Sequence, residues 1–161
     1  MQTQFILALL AAAVSATTIP ANVPRQGGVN PAVIPQDFGV KAGVRSTVQP
    51  SDCVGANDKL IPCDCPPAPN DPDFLAKLSQ GLSQGFFPDP SVPIPISLAA
   101  FNNAGDMSVA TQKLRGTTMI QVLQSLRGPK GSGCPGVAAP NLVKLQQTGS
   151  TSGGNVGNAG K

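Results

Sequence analysis

The sequence contains no histidine, glutamate, tryptophan or tyrosine. Each absence removes a class of chemistry. Without histidine there is no Ser-His or Cys-His nucleophile pair, no imidazole proton shuttle and no histidine metal ligand. Without glutamate all eight acids are Asp, and no Asp-rich calcium loop closed by a Glu exists. Without Trp or Tyr, the rings that usually stack on sugars and bases are reduced to six Phe. Charge is sparse as well, at 12 % of residues with a net charge of +3. So few cations, with no aromatic side chains between them, make nucleic acid a poor partner. No cofactor and no metal are expected.

What is abundant is Gly and Pro, together 35 of the 161 residues. That share approaches low-complexity chains, and the size predicts one small folded domain with disordered flanks. At the start, Phe5 to Val14 is an apolar run of ten residues, too short to span a bilayer. Val14-Ser15-Ala16 follows with small residues at the cleavage-reading positions. Residues 1–16 therefore read as a secretory signal peptide. No second run approaches about 18 apolar residues, so no membrane span is expected. The polar end carries no lipid-anchor signal, and the N-x-[ST] acceptor pattern is missing. The protein is thus expected outside the cell, where the four cysteines, Cys53, Cys63, Cys65 and Cys134, read as two disulfides.

Residues 17–52 read as an unstructured arm, because five prolines and four glycines interrupt any period. Val23-Pro24-Arg25 is a weak processing signal. From Cys53 to Cys63 two short apolar pieces flank a turn signal, which predicts a hairpin. With residues 57–59 as its loop, Cys53 faces Cys63. The preferred pairing is then Cys53–Cys63 with Cys65–Cys134, and Cys53–Cys65 with Cys63–Cys134 stays open.

A helix is predicted from Pro72, capped by Asp71 or Asn70, with Asp73 in its first turn and its end near Gly85. Phe74, Leu75, Leu78 and Leu82 form its apolar stripe. Four prolines forbid a helix over 88–100, where Val92, Ile94, Ile96 and Leu98 alternate as one face of an extended edge segment. A second helix, capped by Asp106 or Ser108, carries Val109, Met119, Ile120, Leu123 and Leu126. Arg127-Gly128-Pro129 stops it. Gly116 in its middle marks a close helix–helix approach. A short helix over 141–147 follows Pro140, and the Gly/Ser/Asn-rich tail 148–161 should be disordered. The expected unit is a mainly α, disulfide-stapled domain over 53–147, with two principal helices and a short hairpin or extended segment.

Little in this domain carries chemistry. Asp71 and Asp73 are better explained as cap and dipole residues than as an acid–base dyad. Cys63-Asp64-Cys65 reads as a disulfide block, not a redox or metal site. The Gly-rich loop 128–133 follows a helix, not a strand, and lacks the phosphate-loop ending. Charge is segregated: six Asp and two Lys lie between 58 and 106, and five cations with no acid lie between 113 and 144. Internal complementarity between the two helices explains this. A basic face on the second helix is the alternative, and with Phe86 and Phe87 it supplies candidate partner-binding residues: Phe86, Phe87, Lys113, Arg115 and Arg127.

The segments Cys53-Val-Gly-Ala-Asn-Asp-Lys-Leu-Ile-Pro-Cys-Asp-Cys-Pro-Pro67 and Leu126-Arg-Gly-Pro-Lys-Gly-Ser-Gly-Cys-Pro135 resemble a group of small secreted fungal proteins without assigned activity. That group shares a Cys-Val-Gly start, an Ile-Pro-Cys-x-Cys-Pro-Pro block, two helices and a late Gly-Cys-Pro. The resemblance covers about 53–147. It implies secretion and two disulfides, and it implies no reaction. The expected function is therefore non-catalytic: an effector-like binding protein acting outside the cell on a protein or cell-wall component. A structural protein of the fungal wall or matrix is the alternative. An inhibitor of a secreted hydrolase, inserting the Pro-rich stretch 88–96, is third, and an Asp-only hydrolase is last.

Overall fold

The computed structural model describes residues 28–39, 43–55, 58–62, 65–126 and 139–150. The predicted signal peptide, Cys63, Cys134, Arg127 and nearly all of the predicted tail lie outside the described residues. Among the described residues the architecture is mainly α, with four helices and one two-stranded sheet: β1 (Cys53–Val54), β2 (Leu60–Ile61), α1 (Pro72–Gln84), α2 (Leu98–Asn102), α3 (Val109–Gln124) and α4 (Pro140–Thr148). A 3-10 turn over Pro31–Val33 precedes them.

Helix α1 starts and stops where its sequence dictates. The Asp71 side chain accepts from the Phe74 N–H at 3.0 Å, Pro72 takes the first helical position, and Gly85 closes the helix at φ 79°. Gly tolerates that left-handed conformation without a Cβ penalty. Phe74, Leu78 and Leu82 are buried. Helix α3 begins at Ser108, whose hydroxyl accepts from the Thr111 N–H, and it closes at Ser125, before the Arg-Gly-Pro stop predicted for it. Lys77 of α1 donates its ammonium to the Leu126 carbonyl just past that end, a favourable place for a cation.

Helices α3 and α4 run antiparallel and pack closely. Val109 lies against Gly149, and Gly116 lies against the backbone of Leu142 and Gln146. A Cβ on Gly116 would sit 2.7 Å from the Gln146 nitrogen, so the close approach predicted at Gly116 is observed. The core combines Phe74, Leu78 and Leu82 of α1 with Met119, Val122 and Leu123 of α3 and with Leu142 and Leu145 of α4.

Four expectations are corrected. First, much of the predicted arm is part of the folded unit. Phe38 is 2 % exposed and packs edge-on against Phe74, with ring centroids 5.4 Å apart. Val29, Val33 and Ile34 pack on the same core. Burial of Phe38 together with the packing of Val29, Val33 and Ile34 favours an ordered path for a Pro/Gly-rich stretch that has no period of its own. The Phe38 carbonyl also accepts from the Asn141 N–H at 3.1 Å, doing for α4 what a cap side chain does elsewhere, since Ala139 offers none.

Second, the hairpin forms in another register. Cys53 pairs with Ile61, not with Cys63, and the Gly55 N–H donates to the Lys59 carbonyl at 2.7 Å. The turn centre is one residue earlier than predicted, which carries the partner of Cys53 two residues back along β2. Third, the described bridge is Cys53–Cys65, with Cα atoms 5.1 Å apart; it belongs to the alternative pairing, whose second bridge, Cys63–Cys134, lies outside the described residues.

Fourth, the extended stretch stops sooner than expected. Val92 and Ile94 point inward, as their alternation requires, but Ser97 caps α2, so 98–100 is helical. Pro95 is the last proline of that run, and nothing after it forbids a helix. Phe86 and Pro93 form an antiparallel bridge instead, held by Gln121, whose side-chain amide donates to the carbonyls of Phe87 at 2.8 Å and Val92 at 3.2 Å.

Candidate functional site

The predicted contact residues do not form a surface. Phe87 is buried in the core, and Phe86 is half-buried in the bridge to Pro93. Arg115 is fully buried. Its guanidinium donates to the carbonyls of Ala100 (3.2 and 2.5 Å), Asn103 (2.7 Å) and Asp106 (2.9 Å), with a longer contact to Gln112 Oε1. Lys113 is half-buried on α3, and Arg127 lies outside the described residues. The basic face is therefore broken at its centre by a structural arginine.

The electrostatics around Arg115 are those of a clamp. Burial pushes its guanidinium below the ordinary arginine value, and the nearby Asp106 carboxylate acts against that shift. Asp106 is held below the ordinary carboxylate value, first by the Thr111 hydroxyl at 2.7 Å, then by Ser108, and least by Arg115. The charge of Arg115 thus goes to the carbonyls that end α2 and lead into α3. It does not face the acids of α1. One signal for this was present: Arg115, Met119 and Leu123 recur every four residues, so Arg115 extends the buried stripe that Met119 and Leu123 define.

An open groove of about 490 Å³ is the candidate site. One wall is the segment 31–38, and the other is 67–70 with Leu75 from the first turns of α1. Each wall has a local cause. The Asn30 side chain accepts from the Ala32 N–H at 3.0 Å and starts the 3-10 turn that Pro31 favours. The Asp37 carboxylate accepts from the Gly39 N–H at 2.7 Å, where Gly39 takes φ 87°. On the other side, Pro66, Pro67 and Pro69 keep the residues before them extended, until the Asp71 N–H donates to the Ala68 carbonyl at 2.9 Å and turns the chain into α1.

The groove floor is apolar, formed by Ile34, Phe38 and Leu75. Its polar groups are Gln36, Asp37 and Asn70, and none of its lining side chains among the described residues is basic. Nothing in the sequence flagged it, because its two walls lie about 35 residues apart and one belongs to the predicted arm. Among the described residues no helix is long and apolar enough to cross a membrane.

No protein-family model matches the chain, and searches of the curated proteins and of the solved structures find no match to it.

Proposed function

We propose that this protein is a secreted, effector-like binding protein that acts outside the cell without catalysing a reaction, and that the groove between 31–38 and 67–70 is its contact surface. The observation that carries this reading is the groove itself: an open apolar cleft with a few polar groups at its rim, the general form of a recognition site. The resemblance to small secreted fungal proteins, the apolar run before Ala16 and the Cys53–Cys65 bridge support an extracellular setting. The lack of His and Glu supports binding over catalysis.

The test is partition. The tagged protein is quantified in culture medium, in wall extract and, where a host exists, in host tissue. A diffusible binding protein is expected free in the medium or host. Retention in the wall until harsh extraction would sink this reading and promote a structural role in the wall or matrix.

A further inference from the structure

The lining of the groove is poor in backbone donors. Pro31, Pro35, Pro67 and Pro69 line it, and proline has no N–H; the Pro31 carbonyl is taken by the Ile34 N–H at 3.1 Å. Asp37 adds a carboxylate whose Oδ1 accepts both from Gly39 N–H at 2.7 Å and from the Asn141 side-chain amide at 2.6 Å. These two donors fix the negative charge at the rim. Asp71 and Asp73 lie at the start of α1, between the lining residues Asn70 and Leu75. On a chain of net charge +3, the groove lining holds one carboxylate, Asp37, and no basic side chain among the described residues.

The complementary ligand is rich in donors, carries positive charge and has an apolar stem. A Lys or Arg side chain meets all three conditions, because its methylene stem buries along apolar surface while its head reaches a carboxylate. An extended polypeptide supplies the rest: its N–H groups are free to meet carbonyls, and its neighbouring aliphatic or proline residues match the floor. A sugar ligand is disfavoured, because the chain has no Trp or Tyr to stack on it. We infer that the groove binds an extended segment of a partner protein, placing a Lys or Arg between apolar residues against Asp37. This rests on the groove being the contact surface and adds the chemistry of what it holds.

The probes are two short capped peptides with the same Pro/Leu frame, one with a central Arg and one with Leu in its place. Binding is read from amide chemical shifts of Gln36, Asp37, Phe38, Ala68 and Asn70 in the full-length secreted protein. The Arg peptide is expected to shift these amides, and the Leu peptide to bind about tenfold more weakly. Asp37→Asn keeps an acceptor for Gly39 and Asn141, so its thermal midpoint should stay close to wild type. It should weaken the Arg peptide about tenfold and leave the Leu peptide unchanged. Equal binding of the two peptides at the groove amides would overturn the inference about the ligand yet leave the groove standing as a contact surface. Shifts of amides elsewhere, or of none, would overturn the inference too. The groove reading is judged separately, by filling the groove.

Discussion

The carbonyl of Ala100, in α2, accepts two hydrogen bonds from the Arg115 guanidinium of α3, from Nη2 at 2.5 Å and from Nε at 3.2 Å. The same side chain reaches Asn103 and Asp106. A five-residue helix such as α2 is too short to be stable alone. Arg115 ties its end carbonyls to α3, the longest helix among the described residues. The fork geometry of guanidinium suits several acceptors at once, and an ammonium cannot reproduce it. Arg115→Met is expected to leave buried carbonyls without donors and to lower stability by about 3 kcal/mol in urea denaturation. Arg115→Lys should recover only part of that loss. A neutral effect of Arg115→Met would contradict the clamp.

Asp106 gives a pH dependence whose sign follows from its surroundings. Hydrogen bonds from Thr111 and Ser108 favour the ionised form, so its folded pKa lies below the ordinary value of 3.8. A carboxyl shifted this way stabilises the fold above its unfolded pKa, and the contribution disappears as pH falls through the folded value. Thermal midpoints of wild type and Asp106→Asn are expected to differ near neutral pH. The difference should shrink once the pH drops below about 4. A difference that stays constant into strong acid would refute the assignment.

Gly116 presents a conflict between helix propensity and packing. Alanine is the better helix former by about 1 kcal/mol. Here its Cβ would press on the α4 backbone at Gln146, which has no flexible side chain to yield. Gly116→Ala is therefore expected to destabilise by about 1 to 2 kcal/mol, and Gly116→Leu by more. Chemical denaturation decides this, and a stabilised Gly116→Ala would place α4 farther from α3 than described.

The Cys53–Cys65 bridge closes a loop with a separation of 12 residues. Peptide mapping without reduction should recover Cys53 linked to Cys65. Replacing both with Ser should cost about 3 kcal/mol in the chain-entropy account. A fragment linking Cys53 to Cys63 would restore the pairing that the shifted hairpin register removes.

Phe38 tests where the folded unit begins. Phe38→Ala is expected to cost about 3 kcal/mol by opening a cavity against Phe74. A chain that starts at Cys53 should lose cooperative thermal unfolding, since it lacks Phe38 and the Phe38 carbonyl that receives the Asn141 N–H. Cooperative unfolding of that shortened chain at the wild-type midpoint would show that 28–39 is dispensable.

The helices were legible because their signals are local. Asp71, Pro72 and Gly85 mark α1 within one stretch of chain, and Gly116 announced a close neighbour without naming it. What escaped depends on distant partners. Phe38 sits in a stretch with no period, and only Phe74, 36 positions later, shows why it is buried. The hairpin was right in kind and wrong by one residue at its centre, enough to change the partner of Cys53. The charge pattern puts Arg115 either beside the acids of α1 or on a basic face, because a lone cation on a helix usually faces an acid or water. Its partners are backbone carbonyls, which no side-chain pattern reveals. The groove could not be read at all, since its walls come from either side of the hairpin.

The central claim is that the cleft between 31–38 and 67–70 is the contact surface, and filling it is the most direct test. Ala68→Trp adds an uncharged ring to the groove lining and leaves the Asp37 side chain itself unchanged. The wild type and this variant, matched for thermal midpoint, are used to capture partners from the compartment in which the partition experiment finds the protein. The account predicts that a partner retained by the wild type is lost or at least tenfold weakened with Ala68→Trp. A partner retained equally by both proteins would contradict it.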